Sequence, residues 1–68
     1  MNLRTARRLK DITQARLAEI AGVDQTTISD IERGRNLNPS WAVVKRISDA
    51  LGVEPHEIFP VRGKGEAA

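Results

Sequence analysis

The stretch from Gln14 to Arg33 constrains this chain most, because two short helical patterns meet there at one glycine. The spacing of apolar residues predicts helices at about 14–21 and about 25–33. Gly22 suits the end of the first helix, since glycine takes a positive φ without steric cost. Asp24 is a favourable N-cap for the second helix. The short turn makes the two helices cross steeply, so small and apolar side chains must fill their contact.

Apolar residues on both sides of this turn predict one shared core. The small side chain of Ala18 allows the second helix to come close. The other residues expected to face the core lie before the turn, within it and after it: Leu17, Ile20, Ala21, Val23, Ile28 and Ile31.

The segment before this pair predicts a further helix at about 2–10. Its apolar stripe has three members, Leu3, Ala6 and Leu9. Asn2 is its expected N-cap, as Thr13 is for the helix that follows. Asp11 is expected to end the helix, because aspartate tolerates the left-handed conformation better than most residues.

The segment after the pair predicts a helix at about 40–51 and a short one beginning at Pro55. Either Asn38 or Ser40 suits the N-cap of the longer helix. Its apolar stripe is Trp41, Val44, Ile47 and Leu51. At that spacing we expect Trp41 in the core rather than exposed as a platform for stacking bases. Strand signals are missing, so the predicted fold is all-α.

Length and composition bound the domain organisation. The chain has 68 residues and no cysteine, so one domain is expected without disulfides or a zinc cluster. We predict that residues 1–60 form this domain and that residues 61–68 are a flexible tail. The sequence has neither a signal-peptide core nor a stretch of transmembrane length. A cytoplasmic protein is therefore expected.

Charge is unevenly distributed, although the formal net charge is only +2. Four cations and no acid occur in the first ten residues, and Arg33 and Arg35 flank Gly34. Such asymmetry suits a molecule that turns one face toward a polyanion. Charge alone, however, favours the alternative of an ordinary solvated surface.

The helix at 25–33 presents a polar face that suits base edges. Glutamine can pair with adenine, threonine can contact the thymine methyl group, and arginine favours guanine or phosphate. We therefore interpret this helix as one that enters the DNA major groove, in the helix-turn-helix arrangement. Asp30 has two interpretations: it accepts a hydrogen bond from cytosine, or it pairs with Arg33 one helical turn away.

From Leu3 to Phe59 the chain resembles a Cro/CI-type (XRE family) helix-turn-helix domain. The residues that carry the resemblance are Thr13-Gln14, Leu17-Ala18, Ala21-Gly22-Val23, Thr27-Ile28-Ser29 and Ile31-Glu32-Arg33-Gly34. The resemblance implies a compact five-helix, lambda-repressor-like domain. Asp11 is a departure, since family members commonly have glycine there.

The resemblance also implies roles for individual residues. Those expected to contact bases are Gln25, Thr26, Ser29 and Asp30. Those expected to contact phosphates are Thr13, Gln14, Thr27, Arg33, Arg35 and Asn36. Packing against the protein is the alternative for Thr27. Gln14 would also brace Gln25. An ion pair between Arg7 and Glu32 would tie the first helix to the recognition helix.

Three classes of function follow. The first is a sequence-specific DNA-binding regulator, most simply a repressor that binds a palindromic operator as a homodimer. The second is an antitoxin or another protein-interaction module that also binds operator DNA. The third, an enzyme, is disfavoured because His56 is the single histidine and no nucleophile–base arrangement stands out.

No cofactor, metal, small-molecule ligand or membrane partner is expected. Val53, Ile58, Phe59 and Val61 are candidates for the core or for a dimer patch.

Overall fold

The computed structural model describes residues 2–59 and contains five α-helices in that range. They are α1 (Leu3–Leu9), α2 (Gln14–Ala21), α3 (Gln25–Glu32), α4 (Trp41–Leu51) and α5 (Pro55–Ile58). The predicted all-α fold is confirmed, with helix bounds that hold to within one residue at each end. The predicted flexible tail, 61–68, lies outside the described residues.

Side-chain caps begin three of the helices. Asn2 accepts a hydrogen bond from the backbone N–H of Thr5 at 2.8 Å, and Thr13 accepts one from Arg16 at 3.0 Å. Ser40 caps α4 in the same way, because its hydroxyl oxygen accepts a hydrogen bond from the backbone N–H of Val43 at 3.3 Å. Of the two candidates for that cap, the structure therefore selects Ser40. Asp24 occupies the N-cap position of α3 as predicted but makes no side-chain capping bond.

Left-handed residues end α1 and α2. Gly22 has a φ of 73° and directs the chain from α2 toward α3. Asp11 has a φ of 58° and is the one non-glycine residue with positive φ within 2–59. The predicted role of Asp11 in ending the first helix is confirmed, at a position where a side chain carries backbone strain.

The core lies around α2, which packs against both α3 and α4. Leu17, Ile28 and Ile47 are fully buried and lie on these three helices. Ala18 is also buried, as its small size predicted. The remaining apolar core residues are Leu3, Ala6, Ala21, Val44, Leu51, Ile58 and Phe59.

Three apolar residues that were predicted to be buried are exposed instead. Leu9 is 72% exposed, Ile20 47% and Trp41 59%. Leu9 is the last residue of α1 and Trp41 the first of α4, where neighbouring helices no longer cover the stripe. Ile20 lies on α2, whose buried face is made by Leu17, Ala18 and Ala21. Helical spacing alone predicted a wider buried stripe than the neighbouring helices cover.

The C-terminal apolar residues belong to the core. Ile58 and Phe59 are each only 7% exposed, and Val53 packs against the core as a partly buried residue. Of the candidates for core or dimer patch, Ile58 and Phe59 therefore belong to the core, while Val61 lies outside the described residues. No helix within residues 2–59 has the length and apolar character needed to cross a bilayer.

Candidate nucleic-acid interface

The turn between α2 and α3 fixes how α3 is presented. The backbone N–H groups of Gly22 and Val23 both donate to the carbonyl of Ala18, at 2.9 and 3.0 Å. Ile28 then anchors α3 in the core, with none of its surface exposed. Because one face of α3 is held this way, its opposite face is directed outward.

That outward face forms the floor of an open depression, called here the α3 depression. It is lined by Gln14, Gln25, Thr26, Ser29, Asp30, Arg33 and Arg35. All four residues predicted to contact bases are among them, together with three of those predicted to contact phosphates. Gln25, Thr26 and the two arginines are exposed, whereas Ser29 and Asp30 are partly buried. Amide, hydroxyl, carboxylate and guanidinium groups thus share one surface.

The other three residues predicted to contact phosphates lie off this lining. Thr13 is exposed, and its hydroxyl oxygen caps α2. Thr27 is partly buried on α3. The side-chain oxygen of Asn36 accepts a hydrogen bond from the N–H of Asn38 at 3.1 Å, which shapes the loop after α3. Thr13 and Asn36 therefore each have a local structural role.

Asp30 lies near a different arginine from the one named in its intrahelical interpretation. Within the described part of the chain no ion pair joins Asp30 to Arg33. Its carboxylate instead lies 4.0 Å from a guanidinium nitrogen of Arg35. Its backbone carbonyl accepts hydrogen bonds from the N–H groups of Arg35 and Asn36, at 2.8 and 3.2 Å. The chain folds back after α3 and brings Arg35 near Asp30, which spacing along the helix did not reveal.

The ion pair between Arg7 and Glu32 joins α1 to the end of α3. Nε and Nη2 of Arg7 donate to the two carboxylate oxygens, at 2.7 and 3.1 Å. The side chains are only 12% and 4% exposed. The remaining nitrogen, Nη1, donates to the backbone carbonyl of Ile12 at 2.9 Å. The guanidinium of Arg7 therefore joins three segments: α1 itself, the loop after α1, and the end of α3.

Gln14 also belongs to this ion-pair network, which sequence reasoning missed. Its Nε2 donates to Oε1 of Glu32 at 3.0 Å, and the same side chain lines the α3 depression. The first residue of α2 therefore connects the buried ion pair to the exposed face. The two residues lie 18 positions apart, so no local pattern signals their contact.

The electrostatics of the pair favour ionised Glu32. Burial raises the pKa of the Glu32 carboxyl, but hydrogen bonds from Arg7 and Gln14 and the charges of Arg7 and Arg4 outweigh it. The pKa of Glu32 is therefore held below its usual range. The pKa of Arg7 is raised in turn, because the hydrogen bond from Arg7 to Glu32 outweighs the effect of partial desolvation. Both groups are charged at neutral pH.

Within residues 2–59 no three His, Asp or Glu side chains are grouped to hold a metal ion. His56, the single histidine, is exposed on α5. The chemistry of the α3 depression is that of hydrogen bonding and charge, which suits recognition of a polar, anionic surface.

Comparisons with known proteins agree with this geometry. A helix-turn-helix family model matches residues 3–58. Among solved structures, the restriction-modification controller protein C.AhdI from Aeromonas hydrophila is similar at a TM-score of 0.77 and 35% sequence identity. That match covers 84% of this chain and 85% of C.AhdI.

Two curated relatives illustrate the range of lengths. YazB of Bacillus subtilis, an uncharacterized HTH-type transcriptional regulator, is 34% identical over 85% of this chain and 83% of its own length. The immunity repressor protein of Bacillus phage phi105 is 35% identical over 76% of this chain, which spans only 35% of the repressor. These names support a transcriptional regulator and add no support for the antitoxin alternative.

Proposed function

The chain belongs to the XRE (Cro/CI-type) family of helix-turn-helix DNA-binding transcriptional regulators, and we propose that it reads its operator with α3 in the major groove. The observation that carries this proposal is the division of α3 into two faces. Ile28 fixes one face in the core, while Gln25, Thr26, Ser29 and Asp30 line the other. The major groove admits an α-helix and presents a distinct hydrogen-bonding pattern for each base pair.

The first turn of α3 carries the residues that we propose as the main base readers. Gln25 and Thr26 are exposed at the start of the helix, and N-terminal residues of a recognition helix reach base edges. Gln25 can pair with the adenine N6 and N7 atoms, and Thr26 can contact a thymine methyl group. Ser29 and Asp30 are proposed to contact bases one turn further along.

Phosphate contacts are proposed to hold this helix in register. Arg33 and Arg35 line the same depression as the base-reading residues, so their guanidinium groups suit the DNA backbone beside the groove. The rest of the proposed phosphate-contacting set is Thr13, Gln14, Thr27 and Asn36. The hydrogen bond from Gln14 to Glu32 supports its part, since it fixes the side chain at the edge of the face.

We propose that the protein acts as a repressor and binds a palindromic operator as a homodimer. The similarity to a phage immunity repressor supports the first point. The size of the domain supports the second, because two linked copies gain affinity that a single module with few contacts lacks. Half-sites about 34–36 Å apart would place both recognition helices on one side of the duplex.

The test is selection of bound fragments from genomic DNA, followed by titration of the recovered site at several salt concentrations. Gln25→Ala should relax base preference at one operator position by about 1–3 kcal/mol. Arg35→Ala should weaken binding to all sequences alike and lower the salt slope by about one. Lys45→Ala, on α4 and outside the α3 depression, serves as the control for a lost positive charge.

Two results would count against the proposal. If Gln25→Ala left base preference unchanged, α3 would not be the reading element. If the affinity of the wild-type protein for its selected site did not depend on salt, phosphate contacts would not contribute and the DNA-binding mode would have to be abandoned. A selected site without two-fold symmetry would contradict the homodimer.

A further inference from the structure

One carboxylate lines a depression that is otherwise built from amides, hydroxyls and guanidinium groups. Asp30 lies on α3 among the proposed base-reading residues and is partly buried. Phosphates repel a negative charge at this position, so Asp30 lowers the affinity of the face for DNA in general. An acidic residue there is favourable only where it gains a specific partner.

Asp30 is coupled to Arg35 through both backbone and side chain. The N–H of Arg35 donates to the carbonyl of Asp30 at 2.8 Å, and a guanidinium nitrogen lies 4.0 Å from the carboxylate. Gly34, with a φ of 79°, allows the chain to turn back and make this approach. The side chain of Arg35 is still 67% exposed. Its guanidinium is therefore near Asp30 and also free to meet a phosphate.

We propose that Asp30 is a specificity-determining residue whose partner is Arg35 in the free protein and a cytosine on DNA, an inference that rests on the proposed function. In the free protein the carboxylate attracts the guanidinium of Arg35. On DNA, Arg35 turns to a phosphate, and Asp30 loses that partner while it enters a negative environment. A cytosine opposite Asp30 restores a partner, because its N4 amino group donates to the carboxylate. Sequences without that cytosine leave Asp30 unpaired and are rejected.

The chain contains a matched control. Asp49 on α4 is also paired with a cation, with its carboxylate 3.1 Å from Lys45, and is exposed outside the α3 depression. Asp30→Asn and Asp49→Asn change the net charge equally. Any difference between the two variants therefore reports the position of Asp30 rather than the total charge.

The experiment measures the affinity of each variant for the selected operator and for a random-sequence duplex of equal length. Asp30→Asn should raise affinity for the random duplex by about threefold to tenfold, with a smaller gain or a loss on the operator. The ratio of the two affinities should fall, and preference for cytosine should disappear at one operator position. Asp49→Asn should leave the ratio unchanged.

The double variant Asp30→Asn/Arg35→Ala tests the coupling. The gain from Asp30→Asn on random duplex should be smaller when Arg35 is absent, because part of the gain comes from releasing its guanidinium. Equal gains for Asp30→Asn and Asp49→Asn, or an unchanged cytosine preference, would overturn the proposal while leaving DNA recognition by α3 in place. If the wild-type protein showed no preference for its operator, the proposed function would fail as well.

Discussion

The guanidinium of Arg7 lies 2.7 Å from the carboxylate of Glu32 and links the first helix to the last residue of α3. The two residues are 25 positions apart in the chain. α1 itself contributes only Leu3 and Ala6 to the buried core. This ion pair is therefore a main determinant of how firmly α1 is held against α3.

Breaking this pair should be strongly destabilising. Arg7→Ala leaves the nearly buried Glu32 carboxylate without its cation, so we expect a loss of about 3 kcal/mol in the free energy of unfolding. Urea denaturation followed by circular dichroism measures it. The exposed pair between Arg16 and Glu19, whose side chains are 60% and 71% exposed, is the control. Arg16→Ala should change stability by less than about 1 kcal/mol; equal losses for both variants would contradict the role assigned to burial.

The pKa of Glu32 predicts how stability depends on pH. In the unfolded chain this carboxyl titrates near its ordinary value of 4.5, whereas in the folded protein its pKa lies lower. Between these values the unfolded state binds more protons, so stability rises with pH. The contribution of Glu32 is complete above about pH 4.5 and is lost as the pH falls through the lowered value. Unfolding free energies measured from pH 7 to pH 3 should fall less steeply for Glu32→Gln than for the wild type. An equal slope for Glu32→Gln and the wild type would contradict this assignment.

The sequence was sufficient to predict the helices because their signals are local. Asn2 and Thr13 cap helices through bonds that span three residues, and Gly22 ends α2 through its own backbone preference. The composition of the α3 face was predictable for the same reason, since helical spacing places Gln25, Thr26, Ser29 and Asp30 together. Only the family resemblance, and not the spacing, predicted the pair of Arg7 with Glu32.

Contacts between distant or irregular segments were not predictable. The bond from Gln14 to Glu32 and the approach of Arg35 to Asp30 depend on how helices and loops pack in three dimensions. The exposure of Leu9 and Ile20 depends on where neighbouring helices stop covering a stripe. A periodic pattern shows which face of a helix is apolar, but not how much of that face a neighbour covers.

The conformation of Asp11 predicts a stabilising substitution. Its φ of 58° is unfavourable for a residue with a Cβ atom, whereas glycine adopts it without strain. We expect Asp11→Gly to raise the unfolding free energy by about 0.5–1 kcal/mol, after the added entropy of the unfolded chain is included. Gly22→Ala is the reverse change at a φ of 73°, where a new Cβ would meet no atom within 4 Å. It should lower stability by about 1–2 kcal/mol through backbone strain alone. Thermal unfolding of both variants checks the opposite signs.

The two serines at Ser40 and Ser48 should respond oppositely to alanine. Ser48 is fully buried, and its hydroxyl oxygen has no hydrogen-bond partner among the described residues. Ser48→Ala removes that unsatisfied group, so stability should stay unchanged or rise by about 1 kcal/mol. Ser40→Ala removes the hydroxyl that caps α4 by accepting a hydrogen bond from the N–H of Val43. It should lower the free energy of unfolding by about 1 kcal/mol. A loss from Ser48→Ala as large as that from Ser40→Ala would mean that the Ser48 hydroxyl is satisfied.

Trp41 should contribute less to stability than its size suggests. It begins α4 with 59% of its surface exposed, whereas Ile47 on the same helix is fully buried. We expect Trp41→Ala to lower the unfolding free energy by about 1 kcal/mol or less, against about 2–5 kcal/mol for Ile47→Ala. Trp41 is the single tryptophan, so fluorescence reports its environment directly. Its emission should resemble that of tryptophan in water and shift little on unfolding. A strongly blue-shifted emission, or equal losses from the two substitutions, would place Trp41 in the core after all.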